Sequence, residues 1–498
     1  MVNLSIFHPL KPIAGIALST AKQKFGRDVV ISAVATGARS LRHLLILPVL
    51  THGLDEVQLG LWEQVMVGVA LVIPWVSLQL PGALVRFLPG VEDLKSRRDI
   101  TYSLLLFALA STLVLSLLGA LGFSAVLADT RWSPLLPLLP LIAALTLTTT
   151  ALELIRAYFR GLRQMVHHAT ISVAQYFSEL VLVAYILLES GDIAFGLWAL
   201  LMVRFALSAV GGAIVVNQLG WALPSFSGMR EFLAFSVPLI PNSALYRLFD
   251  AGDRFLIALY LGHAAVGVYF VSYTAASVFA TLSSPLHLVL LPAISELWNR
   301  GQKDKIAEYI RDTIRFTAIL SFPAMALVVL LSGEILALLT PENYGQSARY
   351  LPVLALGFLA FSLGVPADHL LVAAGRTRIL FAVNSAMVTG NIALNLLLIP
   401  HIGLWGAAFS TLAGHLLYAL TAMILAQRIL PFGLPWRSLA LTAFNAVLMG
   451  GLVFVMKSHL PVLLTIACGG LAYLLLCIAT GLLGLREWRY LQQLAGRS

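Results

Sequence analysis

Polar residues recur inside an apolar segment at spacings that place their side chains on one face of a helix. At intervals of 4, 3 and 4 residues stand Ser32, Thr36, Arg39 and His43. Arg42 lies about one turn from Arg39 on the same segment. A guanidinium group offers a planar fork of N–H donors that matches the oxygens of a phosphate or a carboxylate. The spacing therefore predicts a surface that binds an anion.

A second polar stripe follows 211 residues later and consists of Ser243, Arg247, Asp250 and Arg254. Asp253 lies beside it. Its acids and arginines stand at helical spacing, so they could neutralise one another as a ladder of ion pairs. The first stripe has no acid within its own segment, which favours ligand binding there. Arg39 lies near the middle of its segment, where a charge facing lipid would cost about 2.5–3.5 kcal/mol. We expect both stripes to face a watery cavity.

Three further charged groups lie inside apolar segments. Arg204 and Glu179 could form a structural pair, or Arg204 could contact a ligand. Glu179 is the best candidate for an ion-coupling carboxylate, because a desolvated acid can take up a proton. Asp368, which precedes His369, is a weaker candidate, and Asp250 of the second stripe is another. Hydrogen-bonded packing is the alternative for Asp368.

The elements that carry these residues are long apolar runs. The chain of 498 residues is 59% hydrophobic and 11% charged, with a mean hydropathy of +0.90. A membrane span needs roughly 20 apolar residues. Fourteen such runs are predicted near 29–50, 61–84, 100–127, 134–155, 169–188, 193–216, 231–259, 264–291, 314–331, 350–373, 378–399, 402–426, 436–456 and 462–484. The sequence thus predicts an all-α polytopic membrane protein.

Basic residues alternate between crowded and nearly empty loops. If both termini face the cytoplasm, the cytoplasmic segments hold 24 of the 32 Lys and Arg residues. The outer loops hold three, namely Arg131, Arg349 and Lys457. This asymmetry follows the positive-inside rule and predicts cytoplasmic termini in a cell membrane. The net charge of +9 is explained by topology, so nucleic-acid binding is not expected.

An internal repeat relates the two halves of the chain. The string GLWALL at 196–201 returns as GLWGAA at 403–408, and Gly60 returns as Gly267, both at an offset of 207. Spans 1–6 then map onto spans 7–12, which predicts a parallel repeat of two pseudo-symmetric six-helix lobes. Two C-terminal helices follow. The paired prolines, Pro74 with Pro81 and Pro285 with Pro292, should kink or break the second helix of each half, as hinges or as packing features.

The predicted organisation runs in five parts. Residues 1–28 form a cytoplasmic or interfacial N-terminal segment, 29–216 the N-lobe, 217–230 a cytoplasmic linker, 231–427 the C-lobe, and 428–498 spans 13 and 14 with a cytoplasmic tail. With parallel repeats, a transport site is expected between the lobes near the midplane.

Two blocks of sequence carry recognisable motifs. Span 7 into span 8 reads DRFLIALYLGHAAVGVYFVSYTAA, and residues 375–414 contain Asn391, Asn395, Pro400 and the small residues at 406–408. Together with fourteen spans and a 6+6 repeat, these resemble the Wzx-type polysaccharide flippases of the multidrug, oligosaccharidyl-lipid and polysaccharide exporter superfamily. The resemblance implies transfer of a polyprenyl-diphosphate-linked oligosaccharide from the inner to the outer leaflet, with membrane lipids and polysaccharide polymerase or assembly proteins as partners.

The stripes fit that implication, because a diphosphate needs cationic partners to replace its water. Arg39, Arg42, Arg247 and Arg254 would form a clamp for the diphosphate, aided by Ser32 and Thr36. The alternative is a multidrug or small-molecule antiporter on the same fold, although five in-span arginines disfavour cationic substrates. A membrane glycan polymerase or glycosyltransferase would need a larger outer loop with carboxylates. We identify no nucleotide loop, metal cluster or nucleophile motif, and expect a transporter without cofactor or metal.

Overall fold

A computed structural model describes residues 15–127 and 130–483, and within these ranges the secondary structure is helical. The first half of the chain forms α1 (Gly15–Gly53), α2 (Glu56–Val76), α3 (Leu80–Phe87), α4 (Leu94–Leu127), α5 (Leu139–Gly161), α6 (Met165–Ser190) and α7 (Ile193–Leu219). The second half forms α8 (Met229–Ser236), α9 (Ile240–Ala251), α10 (Asp253–Leu261), α11 (His263–Ala276), α12 (Val278–Asn299), α13 (Lys303–Ala337), α14 (Leu351–Ala373), α15 (Thr377–Ile402) and α16 (Leu404–Ile429). The last two helices are α17 (Trp436–Met456) and α18 (Val462–Ala479).

Short 3-10 helices cover Ser133–Leu138, Val237–Leu239 and Glu342–Arg349. In the described part of the chain, 13 helical segments are long and apolar enough to cross a membrane, and they match predicted spans 2–14. Predicted span 1 lies within α1. That helix extends back to Gly15, so it includes residues 15–28 of the predicted N-terminal segment. The remainder of the predicted N-terminal segment and most of the tail lie outside the described residues.

Helix boundaries repeat between the two halves, as the sequence predicts. Helices α5, α6 and α7 begin at residues 139, 165 and 193, and α14, α15 and α16 begin at 351, 377 and 404, which gives offsets of 212, 212 and 211. The GLW strings, however, are not equivalent positions. Gly196 lies inside α7, whereas Gly403 precedes α16 with a φ of +61°. That match was out of register.

The two halves meet through equivalent glycines. A Cβ atom added to Gly60 in α2 would lie 1.8 Å from the carbonyl oxygen of His263, and one added to Gly267 in α11 would lie 2.3 Å from that of Glu56. Both pairs are related by the offset of 207, since 60 and 56 correspond to 267 and 263. Such reciprocal contacts are expected where a two-fold axis passes through an interface. The pseudo-two-fold axis therefore runs between α2 and α11.

The paired prolines affect the two halves differently. Between Pro74 and Pro81 the helix breaks: α2 ends, and Leu78 and Gln79 adopt φ values of 51° and 54° before α3 begins. The predicted break is thus correct in the first half. In the second half both prolines lie within the continuous α12, and the chain is interrupted earlier, at Ser277.

Predicted span 7 is also not one helix. It divides into α8, the 3-10 helix Val237–Leu239, α9 and α10, with the junction between α9 and α10 at Gly252. This junction separates Arg247 and Arg254 of the second stripe onto different helices.

Candidate functional site

A cavity of ≈ 770 Å³ lies between the two halves of the molecule. Helices α1, α2 and α7 line it from the first half, and α9–α12 and α14–α16 from the second. Six charged residues line it: Arg39, Arg42, Glu63, Arg204, Arg254 and Asp368. The cavity thus occupies the position between the lobes that the repeat predicts.

Most of the first predicted stripe reaches this cavity. Thr36, Arg39, Arg42 and His43 line it, whereas the side chain of Ser32 lies outside the described residues. The second stripe contributes only Arg254. Arg247 is not among the lining residues, and the side chain of Asp250 lies outside the description.

Arg42 is held by an acid that the sequence analysis did not assign to it. Its Nη2 lies 2.9 Å from Oε2 of Glu179, whose side chain is 1% exposed. Nε of Arg204 lies 2.8 Å from the other oxygen of Glu179, which also accepts a 2.9 Å hydrogen bond from Gln175. The pair Glu179–Arg204 was predicted. Predicted span 1 contains no acid, as the sequence shows, and the acid that Arg42 contacts comes from another span, because α1 packs against α6 and brings Glu179 to it.

The same buried network continues along α5. Nη1 of Arg204 donates to Oγ1 of Thr149 over 2.7 Å, and Nη1 of Arg156 donates to Oε1 of Gln175 over 2.9 Å. Both arginines therefore take part in hydrogen bonds that fix the orientation of Glu179. One carboxylate balances one of the two charges of Arg42 and Arg204, so this group carries a net positive charge on the cavity wall.

Arg254 is enclosed instead. Its Nε lies 2.7 Å from Glu63 of α2, its Nη1 lies 3.0 Å from Asp253, and its guanidinium carbon lies 4.1 Å from the centre of the Tyr273 ring. Oη of Tyr269 donates to the other oxygen of Asp253 over 2.7 Å. With a side chain 4% exposed and two carboxylates beside it, Arg254 is a structural link between the halves. Its described acid partners are Glu63 and Asp253, and the side chain of Asp250, the acid of the predicted ladder, lies outside the described residues.

Arg39 differs from every other arginine that lines the cavity. Its side chain is exposed, and no hydrogen bond or ion pair joins it to any residue whose side chain the structure describes. The cavity therefore has a cationic wall on the side of the first half, formed by Thr36, Arg39, Arg42 and Arg204. A second charged group joins α2 to α10, where the charges of Glu63, Asp253 and Arg254 sum to a net negative charge.

Asp368 of α14 belongs to the lining that the second half contributes. It is partly buried and accepts a hydrogen bond from the hydroxyl of Tyr418, with His369 next to it on the cavity lining. Within the described ranges no cationic side chain forms an ion pair with Asp368. Among those same residues, no cluster of three or more His, Cys, Asp or Glu side chains could hold a metal ion.

Two components of the site were missed from the sequence. Glu63 is the single acid in predicted span 2 (61–84), and that isolation was the signal that could have identified it. The second component is a group of aromatic rings on the lining of the second half, which gives no periodic signal because its members come from three helices.

Comparisons with known proteins agree with this architecture. A family model described as polysaccharide biosynthesis protein matches residues 92–349, and a model of the lipid II flippase MurJ matches residues 257–470. A probable flippase, AglR of Haloferax volcanii, is 29% identical over 184 residues, which cover 36% of this chain and 37% of AglR. The chain thus aligns with little more than a third of that relative's length.

Solved structures share the fold. A structure of the lipid II flippase MurJ in an inward closed conformation superimposes with a TM-score of 0.73 at 13% identity, covering 90% of this chain and 97% of that one. An inward-facing multidrug transporter of the MATE family gives a TM-score of 0.61 at 11% identity, covering 78% and 94%. At such identities these likenesses describe the fold alone.

Proposed function

This chain belongs to the polysaccharide biosynthesis protein family, and from that premise we propose that it is a flippase for a polyprenyl-diphosphate-linked oligosaccharide. The substrate would pass from the inner to the outer leaflet of the cell membrane. The observation that carries this proposal is the cationic wall of the central cavity. Arg39 is exposed there without a partner among the described residues, beside Arg42 and Arg204, which share one carboxylate.

The charges support an anionic ligand on this wall. A diphosphate cannot enter hydrocarbon without partners that replace its water. Arg39 is exposed and offers all its N–H donors, and Arg42 lines the cavity beside it with Nη2 on Glu179. Two adjacent guanidinium groups can each bind a phosphate through paired hydrogen bonds. The diphosphate site we propose is therefore Arg39 and Arg42, with Arg204 behind them and Thr36 beside them. Arg247 and Arg254 are left out.

Contacts between the two halves close one face of the molecule, which supports a mechanism in which the cavity opens to one side of the membrane at a time. Oη of Tyr344 donates to the carbonyl oxygen of Leu54 over 2.9 Å, and Nη1 of Arg131 donates to that of Tyr260 over 3.0 Å. These contacts join loops on the face that the charge distribution assigns to the outside. The cavity would then receive substrate from the cytoplasmic leaflet, and rocking of the lobes would expose it to the other side.

For ion coupling, Asp368 is the better candidate of the predicted acids. Glu179 already interacts with two arginines, which stabilise its charged form and oppose proton uptake. Asp368 lines the cavity and has a tyrosine hydroxyl as its hydrogen-bond partner. We propose that Asp368 takes up and releases a proton as the lobes rock. Both termini would face the cytoplasm, and polysaccharide polymerase or assembly proteins would act on the flipped product.

A multidrug antiporter is the second candidate, because Asp368 and nearby aromatic rings resemble a site for a lipophilic cation. The two functions differ in the role of Arg39. Removal of its positive charge should slow the transport of an anionic substrate and speed the transport of a cationic one. Transport of tetraphenylphosphonium into proteoliposomes, enhanced in Arg39→Ala, would support the antiporter.

The test uses a strain lacking the gene and complemented with variants. Arg39→Ala should reduce surface glycan by about tenfold or more, since a hydrogen bond to a charged group contributes about 1.5–3 kcal/mol. Lipid-linked oligosaccharide should accumulate facing the cytoplasm. Arg39→Lys should retain part of the activity, because a point charge keeps the attraction but loses the planar fork. Arg247→Ala, an equal change away from the cavity, is the matched control. Wild-type glycan in well-expressed Arg39→Ala and Arg42→Ala variants would overturn the proposal.

A further inference from the structure

The cavity lining opposite the cationic wall is aromatic. Five rings on α9, α14 and α16 line this side: Phe249, Phe358, Phe361, His415 and Tyr418. We refer to these five residues as the aromatic wall. Cavity-lining aromatic rings with a few placed polar groups are typical of sites that bind an organic ligand.

The aromatic wall is a packed unit. The ring of His415 lies 5.0 Å from that of Phe358 and 5.3 Å from those of Phe249 and Phe361, measured between centroids. Phe361 and Tyr418 stack at 4.9 Å with an interplanar angle of 26°. Because each ring is held by at least one other, the wall presents a fixed surface. Little conformational entropy is lost when a ligand packs on it.

Polar groups border this surface. Asp368 accepts a hydrogen bond from Tyr418, and His369 and Asn384 line the cavity beside it. These side chains can donate hydrogen bonds to hydroxyl groups or accept hydrogen bonds from them. A surface that combines ring faces with such groups suits a ligand that is apolar on one face and rich in hydroxyls at its rim. A sugar ring has that chemistry.

The two walls lie at similar depth. Tyr344, in the 3-10 helix that precedes α14, donates to the carbonyl oxygen of Leu54, so the outer end of α1 lies beside the segment that leads to the outer end of α14. At about 1.5 Å per helical residue, Arg42 lies about 17 Å from that end of α1, and Phe361 about 15 Å from that end of α14. A ligand bound to the arginines can therefore contact the rings in the same cavity without spanning the membrane.

We propose that the aromatic wall is the subsite for the sugars next to the diphosphate. This inference rests on the proposed flippase function and adds where the glycan binds. The apolar C–H face of a sugar ring would pack on Phe361 and Tyr418, while its hydroxyls would bond to Asp368 and Asn384. The first sugar is bonded directly to the phosphate, so its subsite has to adjoin the cationic wall. A volume of ≈ 770 Å³ suits the diphosphate and a few sugars.

The prenyl chain is the rival occupant, and a different groove fits it better. Between α13, α14 and α17 an apolar groove of ≈ 590 Å³ is lined by Phe322, Met325, Gly450 and Phe454, among other apolar residues. A hydrocarbon chain gains nothing from the carboxylate and amide that border the aromatic wall, and it would desolvate them at a cost.

The test compares two ligands on purified protein in nanodiscs. One is a polyprenyl diphosphate without sugar, and the other carries one N-acetylhexosamine. For the wild-type protein the sugar-bearing lipid should bind more tightly. Phe361→Leu and Tyr418→Leu, which keep apolar volume but remove the ring face, should weaken its binding about fivefold to tenfold. Binding of the bare diphosphate should change less than about twofold.

Controls separate the inference from the function on which it rests. Phe409→Leu, a change on the exposed surface of α16, should affect neither ligand, and thermal unfolding checks that the variants fold. Arg39→Ala should weaken both ligands. If neither lipid binds the wild-type protein, the flippase proposal fails. If both bind and the ring variants weaken them equally, or weaken neither, the sugar subsite is wrong while the function stands.

Discussion

Arginine side chains inside membrane spans take different roles here according to the acids that surround them. Arg39 has no partner in the described ranges, Arg42 and Arg204 share Glu179, and Arg254 lies between Glu63 and Asp253. Helical spacing correctly predicted that Arg39 and Arg42 face a cavity. It could not predict their partners, because those lie on other helices and depend on which helices pack together. Only Glu179 with Arg204, in consecutive spans, was within reach of sequence reasoning.

At the same scale, Glu179 and Arg204 should be strongly coupled. Replacing Glu179 leaves Arg42 and Arg204 without their shared acid in a low-dielectric site, and removing one partner of a buried pair typically costs about 3–5 kcal/mol. Replacing Arg204 should cost less, because Glu179 keeps Arg42 as a partner. We expect Glu179→Gln and Arg204→Gln each to lower the stability of the folded protein, and the double variant to lose less than the sum. A double-mutant cycle on thermal unfolding in detergent measures this coupling.

An exposed ion pair provides the control for that cycle. Arg300 lies 2.6 Å from Glu296 one helical turn away, and their side chains are 59% and 62% exposed. Such a pair contributes about 0–1 kcal/mol, so its cycle should give little coupling. Additive losses for Glu179 and Arg204 would contradict the buried pair, and would restore Glu179 as a candidate for ion coupling.

At the scale of helices, the sequence predicted that the two halves are repeats. It predicted only some of the positions that correspond between them. Gly60 and Gly267 are equivalent because each allows a backbone of the other half to approach closely. The GLW strings resemble each other more strongly in sequence, yet Gly403 precedes a helix and Gly196 lies within one. Likewise Pro285 and Pro292 stay inside α12, while the first-half prolines flank a break. Packing between helices, which no single segment reveals, decides which positions correspond.

The close approach of α2 and α11 leads to a direct test. Gly60→Ala would force a methyl group against the carbonyl of His263, so backbone has to shift. We expect a loss of about 1–3 kcal/mol or more, seen as lower yield and a lower unfolding temperature. Gly267→Ala should behave similarly.

Gly68, two turns further along α2, serves as the matched glycine. No atom outside its own helix lies within 4 Å of a Cβ placed there, so Gly68→Ala should be neutral or slightly stabilising through its helix propensity. Equal tolerance of alanine at Gly60 and Gly68 would mean that the two helices do not meet as described.

At the scale of the whole molecule, hydropathy predicted the all-helical membrane architecture, and 13 of the predicted spans coincide with apolar helices. Charge asymmetry predicted an orientation that depends on loops and not on packing. The aromatic wall could not be predicted, because Phe249, Phe361 and Tyr418 come together only when α9, α14 and α16 assemble. Composition thus predicts which segments of this protein are membrane-spanning helices. The residues that meet a ligand are determined by how those helices assemble around the cavity.

Orientation and access can be measured together with single cysteines, after replacement of the native Cys468 and Cys477. Lys303→Cys, at the start of α13 and next to other basic residues, should react with a membrane-impermeant maleimide only from the cytoplasmic side, and Gly345→Cys only from outside. Thr281→Cys, on the cavity lining, should react from the cytoplasmic side, because Tyr344 and Arg131 join the lobes at the other face.

Labelling of position 303 from outside would reverse the topology. Labelling of position 281 only from outside, with the loop markers as expected, would instead mean that the resting cavity opens outward.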